Sequence, residues 1–67
     1  MKANRVKDFR KAKKLSRRKL AEMIDMSPSY IQFIETGERN PTITTAQKLA
    51  KALGVSIDDL FPIRKEA

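Results

Sequence analysis

Between Ser16 and Asn40 the chain starts a helix, stops it and starts another within a few residues. Ser16 is a good N-cap, and Arg17 to about Ile24 carries an i, i+1, i+4 apolar stripe of Leu20, Ala21 and Ile24. Asp25 and Met26 form the turn, since Asp tolerates left-handed backbone better than most side chains. Ser27 followed by Pro28 then restarts the helix as N-cap and first-turn proline, and Gly37 ends it. Two helices joined by a turn of three or four residues leave little freedom. They must pack on one another and close a core with whatever precedes and follows.

The flanking segments read the same way. Asn4 to about Lys13 has Val6, Phe9 and Ala12 at helical spacing, with Asn4 as the expected cap, and Leu15 enters the core as the chain turns. Thr42 is the expected cap of a fourth helix with the inward stripe Ile43, Ala46, Leu49, Ala50 and Leu53, stopped by Gly54. Ser56 to Asp59 has the form of a capping box and opens a last short helix with Ile57, Leu60 and Phe61 inward. No window alternates with period two, so no strand is expected. The prediction is one all-α domain, a compact bundle of five helices over 1–67, with a folded core of about 4–61 and a charged tail at 62–67.

Composition removes several function classes. In 67 residues only one small core is possible, burying roughly 60% of the unfolded chain's surface. The sequence has no cysteine and no histidine, and its eight acids are scattered. A disulfide framework, a thiolate metal site and an imidazole-based catalytic dyad are therefore excluded, and no metal or other cofactor is expected. With no nucleophile–base pair and no room for a pocket, an enzyme is not expected, nor is a small-molecule ligand. No apolar run approaches ~18 residues, so no membrane span is expected and the location is read as cytoplasmic.

The charge is unevenly placed. The net charge is +7, yet Met1 to Lys19 holds ten Lys or Arg against the single acid Asp8, while the remainder is slightly acidic. A basic end on a near-neutral body suits a polyanion, although a solvated lysine-rich surface is the competing explanation.

The outer face of the third helix adds to this. With Ile31 and Ile34 inward, Ser29, Gln32, Phe33 and Thr36 share the opposite face, which carries no formal charge. Amide, hydroxyl and aromatic groups suit base edges in a major groove: Gln for adenine, Ser for either partner, Phe for a thymine methyl. The start of this helix carries no acid, so backbone N–H groups over Pro28–Tyr30 are expected to meet a phosphate. The alternative is that Tyr30 and Phe33 pack in the core or at a protein interface.

Residues 5–61 resemble the Cro/C1-type (XRE-like, phage-repressor) helix-turn-helix domain. The resemblance rests on Arg5-Val6, Phe9-Arg10, Leu15-Ser16, Leu20-Ala21, Ser27-Pro28-Ser29-Tyr30-Ile31, Ile34-Glu35-Thr36-Gly37, Arg39-Asn40-Pro41-Thr42 and Leu49 to Ser56. It implies a lambda-repressor-like five-helix bundle and a sequence-specific regulator of transcription, a repressor by preference. Such a protein binds double-stranded operator DNA as a homodimer, with helix three (about 28–36) in the major groove. By position it implies base reading by Pro28, Ser29, Gln32 and Phe33. Tyr30, Arg39 and Asn40 fall near the sugar-phosphate backbone, joined by Thr36, Arg17, Arg18 and Lys19. It also implies an ion pair between Arg10 and Glu35 that ties helix one to the end of helix three.

The chain departs from that pattern in four places. Arg17 stands where the family often has Gln; Lys14 and Asp25 stand where it often has Gly; Pro28 replaces a frequent polar base reader. Left-handed backbone at Lys14 costs of order 1 kcal/mol, so strain or adjustment is expected there. Leu60, Phe61 and Ile63, with exposed Met23, are candidates for an apolar contact with a second copy or another protein. The competing function is thus a protein-interaction module on the same scaffold, antitoxin-like or adaptor-like.

Overall fold

In the computed structural model, which describes residues 4–62, five helices follow one another: α1 Val6–Ala12, α2 Arg17–Met23, α3 Pro28–Thr36, α4 Ile43–Leu53 and α5 Ile57–Leu60. Among the described residues there is no strand, as the missing period-two pattern required. Four starts are set by side-chain caps. Ser16, Ser27, Thr42 and Ser56 each accept a hydrogen bond from the backbone N–H three residues on. At α5 the capping box is complete, with Asp59 accepting in return from the Ser56 N–H at 3.1 Å. Each such cap contributes about 1 kcal/mol, which matters for helices of four to eleven residues.

The ends of α1, α2 and α4 are built alike. Lys14, Asp25 and Gly54 adopt left-handed backbone, with φ of 58°, 61° and 72°. The next N–H in each case returns to the carbonyl five residues back: Leu15 to Arg10, Met26 to Ala21, Val55 to Ala50, at 2.8–3.1 Å. Leu15, Met26 and Val55 then fold down onto the core. This is the Schellman arrangement with its accompanying apolar contact. The strain expected at Lys14 is present: the turn retains left-handed geometry without a glycine.

Val6, Leu20, Ala21, Ile24, Ile31, Ile34, Leu49, Ala50, Leu53 and Leu60 make one core. Helices α2 and α3 share the most extensive packing; α1 packs on both α3 and α4, and α5 packs on α4. Backbone and side-chain bonds then tie the ends together. Arg5 N–H donates to the Leu60 carbonyl at 2.8 Å, and Asn4 Nδ2 donates to the Ile34 carbonyl at 2.8 Å.

Several expectations need correction. Asn4 is not the cap residue of α1; that position is Arg5, which has no side-chain cap, while Asn4 Oδ1 accepts from the Val6 N–H. Ala12 is exposed. Ile43, assigned to the inward stripe of α4, is 73% exposed, whereas Thr45 is buried. The stripe runs Thr45, Ala46, Leu49, Ala50, Leu53, and helical phase puts Ile43 roughly 90° off its centre. Thr45 is tolerated inside because Thr42 Oγ1 donates to its hydroxyl at 3.1 Å. Leu60, expected on a contact surface, is fully enclosed and has none to offer. Ile63 lies outside the described residues.

Candidate nucleic-acid interface

The site is built on α3. Ile31 and Ile34 are fully buried and hold one side of the helix against the body. Pro28, Ser29, Gln32, Phe33 and Thr36 are all exposed on the other side, and Phe33 keeps 37% of its surface in contact with solvent. At ~100° per residue, Ser29, Gln32, Phe33 and Thr36 fall within an arc of about 100°. The helix end is well determined: Gly37 N–H donates to Ile34, and Arg39 N–H folds back to the Phe33 carbonyl at 3.2 Å. Thus Arg39 and Asn40, both exposed, leave α3 in a defined direction.

Not every expected group is equally available. Pro28 has no N–H, and the Tyr30 N–H is taken by Ser27 Oγ at 3.1 Å. Of the amides over Pro28–Tyr30, only that of Ser29 remains for an anion. The Tyr30 side chain is half-buried and packs against the core. The Thr36 hydroxyl turns back on its own helix end, 3.1 Å from the Phe33 carbonyl oxygen and 2.9 Å from Glu38 Oε1. It therefore sits beside a carboxylate, a poor neighbour for phosphate.

Arg10, Glu35 and Arg17 form one cluster. Arg10 Nε donates to Glu35 Oε2 at 2.6 Å, with side-chain exposures of 8% and 2%. Arg10 Nη1 also donates to the Leu15 carbonyl at 2.7 Å, so α1, the following turn and α3 meet at one guanidinium. Arg17 Nε donates to Glu35 Oε1 at 3.1 Å, and its side chain remains 40% exposed. Sequence reasoning placed Arg17 only among the free cations. The link to Glu35 spans 18 positions, and no local pattern encodes it. Arg18 and Lys19 are exposed in the first turn of α2. Among the described residues, every buried side-chain polar atom has a hydrogen-bond partner.

An apolar groove begins beside Asn40. Pro41, Ile43, Ala46, Ile57 and Phe61 line this open groove of about 240 Å³. Phe61 was among the expected contact residues; Ile43 was missed because helical spacing assigned it to the core. Met23, on α2, is 48% exposed.

Two short helices at a tight turn, the second with an exposed uncharged face and basic groups around it, define a DNA-binding helix-turn-helix domain. The helix-turn-helix family model matches residues 6–60. The chain belongs to the XRE-type (Cro/C1-type) helix-turn-helix family of transcriptional regulators. It is 37% identical over 65 residues to control protein C.MunI of a Mycoplasma species, covering 94% of this chain and 88% of that protein. Among solved structures it is similar to the restriction-modification controller C.AhdI of Aeromonas hydrophila, with a TM-score of 0.79 and 37% identity over 85% of this chain and 86% of that one. The N-terminal DNA-binding domain of SinR from Bacillus subtilis gives a TM-score of 0.79 at 35% identity, covering 92% and 91%. The same fold also forms about a third of an epoxidase chain, so it is a domain that larger proteins use as well. Among the described residues no helix is long and apolar enough to cross a membrane.

Proposed function

We propose that this chain is a sequence-specific repressor that binds double-stranded operator DNA as a homodimer, with α3 in the major groove. The observation that carries the reading is the exposed, uncharged face of Ser29, Gln32 and Phe33 on a helix whose opposite side is anchored by the fully buried Ile31 and Ile34. Nine residues of α3 span about 13.5 Å, comparable with the ~12 Å width of the groove. Gln32 presents an amide for adenine, Ser29 a hydroxyl, and Phe33 a ring edge for a thymine methyl. Arg18, Lys19, Arg39 and Asn40 are the groups for flanking phosphates, with Tyr30 supporting through its ring. The SinR domain, by its description, binds DNA, and the C.MunI and C.AhdI names describe controllers; both agree with this assignment.

One recognition helix reads about four or five base pairs, and two copies one turn apart, about 34 Å, give a useful site. Exposed Ile43 beside Phe61 is the surface assigned to the second copy. The same groove supports the competing reading, in which another protein is the main partner.

In vitro selection of duplexes from a random pool tests the assignment. A twofold-symmetric site with half-sites one turn apart is expected. Recovery of no consensus would overturn sequence-specific binding and favour the protein-interaction reading.

A further inference from the structure

Glu35 contacts two arginines of different character. Arg10 is buried beside it, and Arg17 lies at the start of α2 with 40% of its side chain in water. The carboxylate takes one donor from Arg17, the Nε–H, at 3.1 Å. Among the described residues Arg17 makes no other side-chain hydrogen bond, so the four N–H donors of its Nη1 and Nη2 groups stay free. A guanidinium held by one edge presents its remaining fork in a set orientation, and such a fork matches two phosphate oxygens.

The charges work in the same direction. Glu35 alone would neutralise Arg17 and repel an anion. Arg10, at 2.6 Å on the other oxygen, already offsets that charge, so the three groups together keep one net positive charge, and the exposed member carries it. Holding a long side chain in place before binding also means that less of its freedom is lost on binding.

From this we infer that Glu35 is a positioning residue for DNA binding: through Nε it aims the Arg17 fork at a backbone phosphate, while Arg10 supplies the compensating charge. The inference rests on the DNA-binding reading above but not on base recognition. Its probe is therefore a short random-sequence duplex at low salt.

Two measurements test it. In ¹H–¹⁵N spectra the Arg17 Nε–H should exchange slowly in the free protein and stay protected with duplex bound, while its Nη signals shift only on binding. An Arg17 Nε–H that exchanges as fast as that of Arg18, or loses protection on binding, would overturn the assignment. The second measurement is a cycle of Glu35→Gln with Arg17→Ala, with thermal melts confirming folded protein. Glu35→Gln should cost about fivefold more duplex affinity when Arg17 is present than when it is absent, where loss of the carboxylate charge leaves binding unchanged or slightly tighter. A purely structural Glu35 predicts equal losses in both backgrounds, which would sink the inference. If Glu35→Gln does not fold, the spectra of the unaltered protein still decide. Failure to bind any duplex would remove the DNA-binding reading itself, whereas binding with additive losses removes only this inference.

Discussion

Arg10 and Glu35, 25 positions apart, close an ion pair of 2.6 Å with 8% and 2% of their side chains exposed. The pair fastens α1 to the end of α3 and so sets the tilt of the helix that carries the outward face. Removing one member of such a pair leaves the other buried and uncompensated, at a cost of about 3–5 kcal/mol. The two losses are not equivalent here. Arg10→Ala leaves Glu35 with Arg17, but Glu35→Ala leaves Arg10 enclosed with only the Leu15 carbonyl. Glu35→Ala should therefore be the more destabilising in urea unfolding, approaching the whole stability of a chain this short. Equal losses, or a larger loss for Arg10→Ala, would contradict this account.

Left-handed backbone at Lys14 predicts a gain. Lys14→Gly relieves a cost of about 1–2 kcal/mol, offset in part by glycine's greater unfolded-state freedom, for a net stabilisation of about 0.5–1 kcal/mol. The midpoint of thermal unfolding should rise, at about 4–8 °C per kcal/mol in a domain of this size. Asp25→Gly should gain less, because Asp adopts this conformation more readily than Lys. A lowered midpoint for Lys14→Gly would show that its side chain contributes packing that outweighs the strain.

Gln32→Ala and Phe33→Ala should separate recognition from folding. Gln32 is exposed, so its melt should move little; Phe33 keeps only 37% of its surface in water, so Phe33→Ala should lower the melt, and its binding is compared below that melt. Affinity for a selected operator should fall by about 1–3 kcal/mol per half-site, with random DNA nearly unaffected. Anisotropy titrations on the two duplexes provide the comparison. Parallel losses on both would remove these residues from base reading.

Arg39 is exposed and held at the end of α3 by its own backbone bond to Phe33. Arg39→Ala should weaken all duplexes alike and flatten the dependence of log affinity on log salt by about 0.9 for each phosphate that the arginine neutralises. An unchanged slope would mean that the side chain does not meet phosphate.

Ile43 offers a test of self-association. With 73% of its surface in water, Ile43→Lys should leave monomer stability nearly untouched. It should weaken dimerisation, seen by sedimentation with and without operator, because it places a charge in the apolar groove beside Phe61. An unaltered dimer would move the interface elsewhere.

The starts of α2 to α5 were legible because they are local. Ser16, Ser27, Thr42 and Ser56 cap within three residues, Pro28 opens α3, and Gly37 and Gly54 close α3 and α4. The outward set Ser29, Gln32 and Phe33 was legible for the same reason, since Ile31 and Ile34 set the phase of a single helix. Ile43 was misread because spacing reports which residues share a side, not how far the buried arc extends in the first turn. Leu60 and Phe61 lie next to each other in the chain, yet one is sealed and the other lines a groove.

The amino-acid sequence by itself determined five helices, the absence of a strand pattern and the uncharged outer side of α3, because each depends on residues within a few positions of one another. Tertiary structure alone decided that Asn4 bonds the Ile34 carbonyl, that Thr45 replaces Ile43 inside, and that Glu35 is shared between Arg10 and Arg17. The first and last join groups 18–30 positions apart, and the exchange in α4 depends on which neighbours cover its first turn. All three were settled only when the helices packed and water was excluded between them.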